Sequence, residues 1–402
     1  MSLQDTPQSQ RLTIGIFGST NSGKSTLLNA LTGQNFALVS EIAGTTTDPV
    51  YKTMEINGIG PVLFIDTAGF SDNTELGQKR LEKTMEALKK SDVVLLVYGK
   101  YEKNDVQTAD YDSFITQLKS ENKPFLKVKN SDISSPVDNG PEQIVTINAK
   151  DKIGIDKLIE KIKTIIPEDF SSRHFTAGLC SEGDTVVLVM PQDIQAPKGR
   201  LILPQVQILR ELLDKKCIPV CCTTDKFKQT IDKLKEKPNL IITDSQVFKF
   251  VYENKDEDVP LTSFSVLMAS NKGDINKFVD DAKKISQLTG KSKVLIAEAC
   301  THAPLEEDIG RIKIPAMLRK LVESKHTGDG EKLTIDFVRG ADFPENLSDY
   351  DIIIQCGSCM FNRSYVLSRQ KNAEKQNVAM TNYGIAIATI SGIIDKIVLP
   401  KT

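Results

Sequence analysis

The most constraining feature of this chain is the run Gly18-Ser19-Thr20-Asn21-Ser22-Gly23-Lys24-Ser25. It matches G-x-x-x-x-G-K-[ST], follows an apolar strand-like run, Leu12–Phe17, and opens a helical stretch at Lys24–Leu31. A strand that turns through glycines into a helix commits the chain to a βα unit. The glycines let backbone N–H groups face an anion, and the helix N-terminus adds partial positive charge. In that frame Lys24 reaches the β- and γ-phosphates of a nucleotide and Ser25 holds Mg²⁺, with Gly18, Ser22, Gly23 and Thr26 around them. A bare glycine turn with an exposed lysine accounts for this run but not for the two motifs downstream.

Asp66-Thr67-Ala68-Gly69 follows the apolar run Pro61–Ile65. Asp66 stands where a Walker-B acid orients the Mg²⁺ shell, and the Gly69 N–H can meet the γ-phosphate. Between these motifs lies Gly44-Thr45-Thr46-Thr47-Asp48, which resembles a switch I loop. Its Thr46 is expected to ligate Mg²⁺ only while the γ-phosphate is present, so that the loop orders and releases with hydrolysis. The catalytic set is therefore Lys24, Thr46, Asp66 and Gly69.

Apolar runs alternate with helical stretches along the whole chain, the pattern of βαβ units and parallel sheets. The expected class is α/β: a P-loop GTPase domain over 1–170, then two smaller parallel-sheet α/β domains over 176–264 and 265–402. A net charge of −2 gives no reason to expect nucleic acid as a partner. No apolar run approaches the roughly 18–20 residues of a membrane span, and no secretory signal is visible, so a cytoplasmic or organelle-matrix location is expected.

Seven cysteines, an odd number in so long a chain, point to a reducing compartment and to metal or redox chemistry for any C-x-x-C pair. Cys300-Thr301-His302 follows the strand-like run Val294–Ala297, and Cys356-Gly357-Ser358-Cys359 follows Asp351–Ile354. Carboxyl ends of strands in open α/β sheets are where ligands bind. Three thiolates from two neighbouring loops suit an iron–sulfur cluster or zinc. Cys217, Cys221 and Cys222 lie on or beside one apolar run and are expected in the core.

Two resemblances sharpen this reading. The nucleotide motifs resemble the translation-factor-related GTPases of the Era, tRNA-modification and Der type. That likeness implies K⁺ held by Asn21 in place of an arginine finger, in keeping with Phe70 rather than glutamine after Gly69. The base-recognition motif of that group, N-K-x-D, reads Lys129-Asn130-Ser131-Asp132 here. Asp132 stays in register for the guanine edge, Lys129 takes the usual asparagine place, and Asn148-Ala149-Lys150 supplies the last motif. GTP is expected, with weaker discrimination against ATP.

Nearly the whole chain is similar to the GTPases that mature FeFe-hydrogenase. The shared runs include Gly44–Val50, Ala196–Gln205, Glu298–His302, Cys356–Met360, Asn362-Arg363 and Thr381–Gly384. The resemblance implies a homodimer through the middle domain and a 4Fe–4S cluster in the last, on Cys300, Cys356 and Cys359. It also implies a diiron precursor accepted and passed to apo FeFe-hydrogenase, in company with the radical-SAM maturases. The family's histidine before C-x-x-C is Gln355 here, so the fourth ligand stays open between Glu307 and His302. The competing readings are a GTPase switch for RNA or ribosome assembly with a structural zinc site, and an assembly protein that binds nucleotide without hydrolysing it.

Overall fold

The computed structural model describes residues 6–33, 49–69, 75–99, 105–134, 144–168, 170, 173–191, 201–299 and 308–401. The chain divides into two compact units, Met1–Ser172 and Arg173–Thr402.

The first unit is built on a six-stranded sheet: β1 (Leu12–Gly18), β2 (Val50–Ile56), β3 (Gly60–Asp66), β4 (Val93–Tyr98), β5 (Phe125–Asn130) and β6 (Ile144–Ile147). The spatial order is β2-β3-β1-β4-β5-β6, with β2 antiparallel to β3 and the other pairs parallel. Its helices are α1 (Lys24–Thr32), α2 (Glu75–Lys90), α3 (Asp105–Ser120) and α4 (Ile155–Ile165). Every residue of β1 is buried, because helices cover both of its faces. Leu12, Ile14 and Ile16 pack with Leu27, Leu28 and Leu31 of α1 and Leu158 and Ile162 of α4. Phe17 points the other way, into Leu88, Tyr111, Phe114 and Leu118 of α2 and α3. The period-2 alternation of one strand thus feeds two cores. The register sets Ile16 beside Asp66 and Gly18 beside Val97, so the strand ends that carry the nucleotide motifs lie at one edge.

The second unit holds two four-stranded sheets whose pairs are all parallel. One contains β7 (Thr185–Val189), β8 (Ile218–Cys222), β9 (Leu240–Thr243) and β10 (Leu261–Ser263), in the order β10-β9-β7-β8. Its helices are α5 (Leu203–Asp214), α6 (Phe227–Lys233), α7 (Phe248–Asn254) and α8 (Phe264–Lys272). The other contains β11 (Lys293–Glu298), β12 (Thr334–Arg339), β13 (Ile352–Gln355) and β14 (Ala379–Asn382), in the order β12-β11-β13-β14. Its helices are α9 (Ile275–Ala282), α10 (Ile314–Lys325), α11 (Arg363–Lys375) and α12 (Tyr383–Ile390).

One continuous core joins the two sheets, running from Val187, Phe227 and Phe248 to Phe278, Ile296 and Ile353. Polar contacts close the same seam: Arg363 Nη1 donates to the carbonyls of Ser270, Asn271 and Gly273.

The expectation of three core cysteines around β8 holds only for Cys217, which is buried; Cys221 is exposed and Cys222 half-buried. β8 is an edge strand, so helices and neighbours do not cover it on every side. β2 carries no clean alternation, since six of its seven residues are exposed or half-buried. Among the described residues no helix is long and apolar enough to cross a membrane.

Candidate functional site

The turn between β1 and α1 takes the backbone that its glycines permit. Gly23 has φ 92° and Asn21 has φ 64°, both in the left-handed region that glycine and asparagine tolerate best. Lys24 is buried, and its Nζ donates to the Gly18 carbonyl at 3.1 Å and the Ser19 carbonyl at 2.7 Å. The ammonium is therefore held over the turn. Tyr111 of α3 braces the same segment: its hydroxyl accepts from the Ser19 N–H at 2.8 Å and donates to the Val97 carbonyl at 2.6 Å.

Asp66 ends β3 and accepts from the Ser25 hydroxyl at 2.7 Å. Burial raises its pKa above the ordinary carboxylate value, against the lowering effects of the Ser25 hydrogen bond and the Lys24 charge. Its Oδ1 is buried with no partner among the described residues, as is the Ser22 hydroxyl. Buried polar atoms are ordinarily satisfied, and two orphans, one on the turn and one at the strand end beside it, mark where a ligand supplies the missing bonds. A Mg²⁺–phosphate pair suits them, because Oδ1 can accept from the ion's water shell and the serine can donate to a phosphate oxygen. Gly69 lies against the backbone of Thr20, so a side chain there would strike the phosphate turn. Thr46 and the rest of Gly44–Asp48 fall outside the described residues.

The strand sets which way the residues of the base motif point. Asn130 shares a face of β5 with Leu126 and Val128, both packed in the α1 core, whereas Lys129 points to solvent. The Asn130 amide lies directly under Gly23, and its Oδ1 accepts from the Ala149 N–H at 3.1 Å. Asn130 therefore lies between the phosphate turn and the last motif. Period-2 alternation from Leu126 was the signal that would have found it. Asp132 and Lys150 are exposed beside it. The Asn148 amide holds the neighbouring turn through the Asp151 carboxylate at 2.8 Å and the Ile133 carbonyl at 3.3 Å.

The second candidate site lies at the carboxyl edge of the last sheet. β11 and β13 are neighbours, and the Cys356 N–H donates to the Ala297 carbonyl at 2.9 Å. The loops that follow these strands therefore start side by side. The Cys356 sulfur accepts from the Ala299 N–H at 3.1 Å and the Ser358 N–H at 3.4 Å. Ser358, which donates that second bond, has φ 54°, in the left-handed region. Burial pushes the Cys356 thiol up, and the two N–H groups pull it down by less. Such a sulfur stays protonated until a cation replaces the proton, and the N–H groups then stabilise the thiolate.

Gln355 is buried, donates through Nε2 to the Cys356 sulfur at 3.8 Å, and accepts from Arg369 Nη1 at 2.9 Å. Arg369 is itself enclosed by Phe343, Phe361 and Tyr365. An asparagine N-cap, Asn362, starts the helix that carries it. Cys359 is half-buried against the core of the preceding sheet. Cys300, His302 and Glu307 fall outside the described residues, and among the described residues no three metal-ligating side chains converge.

Comparison with known proteins divides the chain in three. Residues 13–131 match a family described as 50S ribosome-binding GTPase, residues 175–273 the hydrogen maturase F dimerization domain, and residues 276–400 the hydrogen maturase F tetramerization domain. The tRNA modification GTPase MnmE of Francisella tularensis subsp. novicida is 27% identical over 216 residues, 50% of this chain and 47% of that protein. The same enzyme of Endomicrobium trichonymphae is 38% identical over 161 residues, 37% of this chain and 34% of its own. The chain thus spans half or less of the length of these relatives. Among solved structures, Era of Aquifex aeolicus bound to GDP·AlF4⁻ is 22% identical at a TM-score of 0.34, covering 52% of this chain and 92% of that one.

Proposed function

The chain belongs to the hydrogen maturase F family, the GTPases of hydrogenase maturation, and from that premise we propose that it is a cluster-bearing scaffold and carrier. It accepts a diiron precursor and delivers it to apo FeFe-hydrogenase, working beside radical-SAM maturases. A 4Fe–4S cluster would be held by Cys300, Cys356 and Cys359, with Glu307 or His302 as the fourth donor. When bound, the cluster supplies an iron whose non-thiolate ligand is replaceable. The observation that supports this is the Cys356 sulfur, on a half-buried residue and held by two backbone N–H groups where two neighbouring strands end. Gln355 and Arg369 hold that sulfur's third contact from behind.

The test is metal analysis with electron paramagnetic resonance after anaerobic reconstitution and reduction. Iron with a cubane signal is expected; stoichiometric zinc without iron would replace the proposal with a structural zinc site. Self-association accompanies the role, and the exposed Ile218 on edge strand β8 is one surface suited to it.

In the first unit, Lys24 binds the phosphates, Ser25 and Thr46 hold Mg²⁺, Asp66 orients its water shell, and the Gly69 N–H meets the γ-phosphate. Asp132, Ala149 and Lys150 face the guanine. Asn21, exposed and left-handed at the lip of the turn, is placed for K⁺. GTP turnover is therefore expected to be faster in potassium than in sodium salts, and equal rates in the two would remove the potassium site.

Asn130, not Lys129, carries the amide function of the base motif. Replacing Asn130 with alanine removes neutral hydrogen bonds of about 0.5–1.5 kcal/mol each, so GTP affinity should fall by roughly 3- to 10-fold. Lys129→Ala should leave it nearly unchanged. Calorimetric titration of both variants decides the matter, and a larger loss at Lys129 would restore the sequence order as the better guide.

A further inference from the structure

Tyr383 is the first residue of α12, directly after β14, and is only 8% exposed. The register Gln355↔Asn382 brings the end of β14 level with the end of β13, where Cys356 begins its turn. Its hydroxyl is buried and has no hydrogen-bond partner among the described residues. Space for it is kept by Gly310: a Cβ there would strike the Tyr383 oxygen and lie 2.8 Å from Glu298 Oε1. Glu298 does not satisfy the phenol, and its Oε2 is engaged by Arg311 at 3.2 Å and Arg339 at 3.5 Å.

Burial raises the Tyr383 pKa well above its ordinary value, and the nearby Cys356, Glu298 and Asp308 raise it further. The phenol consequently keeps its proton and can act only by donating it or accepting a bond. Its surroundings are rich in anionic groups, yet none of the described ones takes that proton. A buried hydroxyl left without a partner is costly, and the cost is recovered when an acceptor enters.

We propose that the Tyr383 hydroxyl is a hydrogen-bond donor to the anionic group seated at Cys356, either inorganic sulfide of the cluster or the replaceable ligand on its iron. This rests on the cluster reading above and adds a positioning residue to it. Donation to a sulfide withdraws charge and raises the reduction potential. Donation to the replaceable ligand strengthens that ligand's hold and aligns it.

The experiment compares parent and Tyr383→Phe proteins, both reconstituted anaerobically, by iron content, redox titration and proton hyperfine spectroscopy in H2O and D2O. Phenylalanine fills the same space without the hydroxyl, so equal iron content is expected. The variant should lose one exchangeable proton coupling and shift to lower potential. Titration with imidazole then separates the two acceptors: tighter imidazole binding in the variant, whose native ligand is held less firmly, assigns the bond to the replaceable ligand, and unchanged binding assigns it to sulfide. A parent protein without iron would overturn the cluster reading together with this one. Iron in both proteins, with the same potential and the same proton coupling, would overturn the tyrosine's role alone. A variant that takes up no iron overturns it too, since a donor that only positions the group is not needed to hold it.

Discussion

Replacing Lys24 with alanine is expected to lower kcat/KM for GTP by at least roughly 10²-fold, the usual loss when one preorganised donor to a developing negative charge is removed. Lys24 is already held over the turn by the Gly18 and Ser19 carbonyls, so little reorganisation is needed when phosphate arrives. Nucleotide binding should weaken as well, because a charge-assisted bond of ~1.5–3 kcal/mol is lost. The variant also leaves a cavity under the turn. Far-ultraviolet circular dichroism must therefore show a retained fold before the rate is interpreted. Steady-state phosphate release measures the effect, and a rate within threefold of the parent would mean that the Gly18–Ser25 turn is not the phosphate site. Ser25→Ala is the complementary probe, since it removes the hydroxyl donated to Asp66. Its deficit should shrink as Mg²⁺ is raised, whereas that of Lys24→Ala should not.

Cys356→Ala is expected to take reconstituted iron from about four per chain to near zero, along with the cubane signal. The sulfur lost is the one the backbone has prepared: two N–H groups and the Gln355 amide point at it. In the alanine variant those donors face a methyl group and stay unsatisfied, so the loop pays a penalty and gains no ligand. Cys359→Ala and Cys300→Ala should behave alike. Cys222→Ala, half-buried on the edge strand of the other sheet, should keep its iron. Retention of the full iron content by Cys356→Ala would overturn the ligand assignment, and with it the carrier role that depends on the cluster.

Much of the architecture was legible because strong local signals agree with one another. The strand–turn–helix context of Gly18–Ser25 left few alternatives, and β6, β7, β8 and β9 fall where apolar runs end at polar punctuation. The helix from Ile275 stops at Ala282, and the chain continues as a 3₁₀ turn over Lys283–Gln287. The run from Ile309 opens with a π-turn over Ile309–Lys313 before α10. Hydrophobic spacing marks such segments as helical without distinguishing 3, 3.6 or 4.4 residues per turn, since ends are decided by packing and caps.

The candidate sites divide along the same line. The sequence by itself determined residue types and chain order: a phosphate turn, an acid at a strand end, a C-x-x-C after an apolar strand, and the family likeness these carry. Only the tertiary structure decided which side chains meet. Asn130 faces the phosphate turn and Lys129 faces solvent because the pleat sends alternate residues to opposite faces, and the α1 core claims the face of Leu126 and Val128. Tyr111, Arg369 and Tyr383 carry no motif of their own. They reach Ser19, Gln355 and the surroundings of Cys356 because parallel pairing sets distant strand ends level with one another. Strand order is not written locally: it follows from which apolar faces can be covered at once, a property of the whole folded unit.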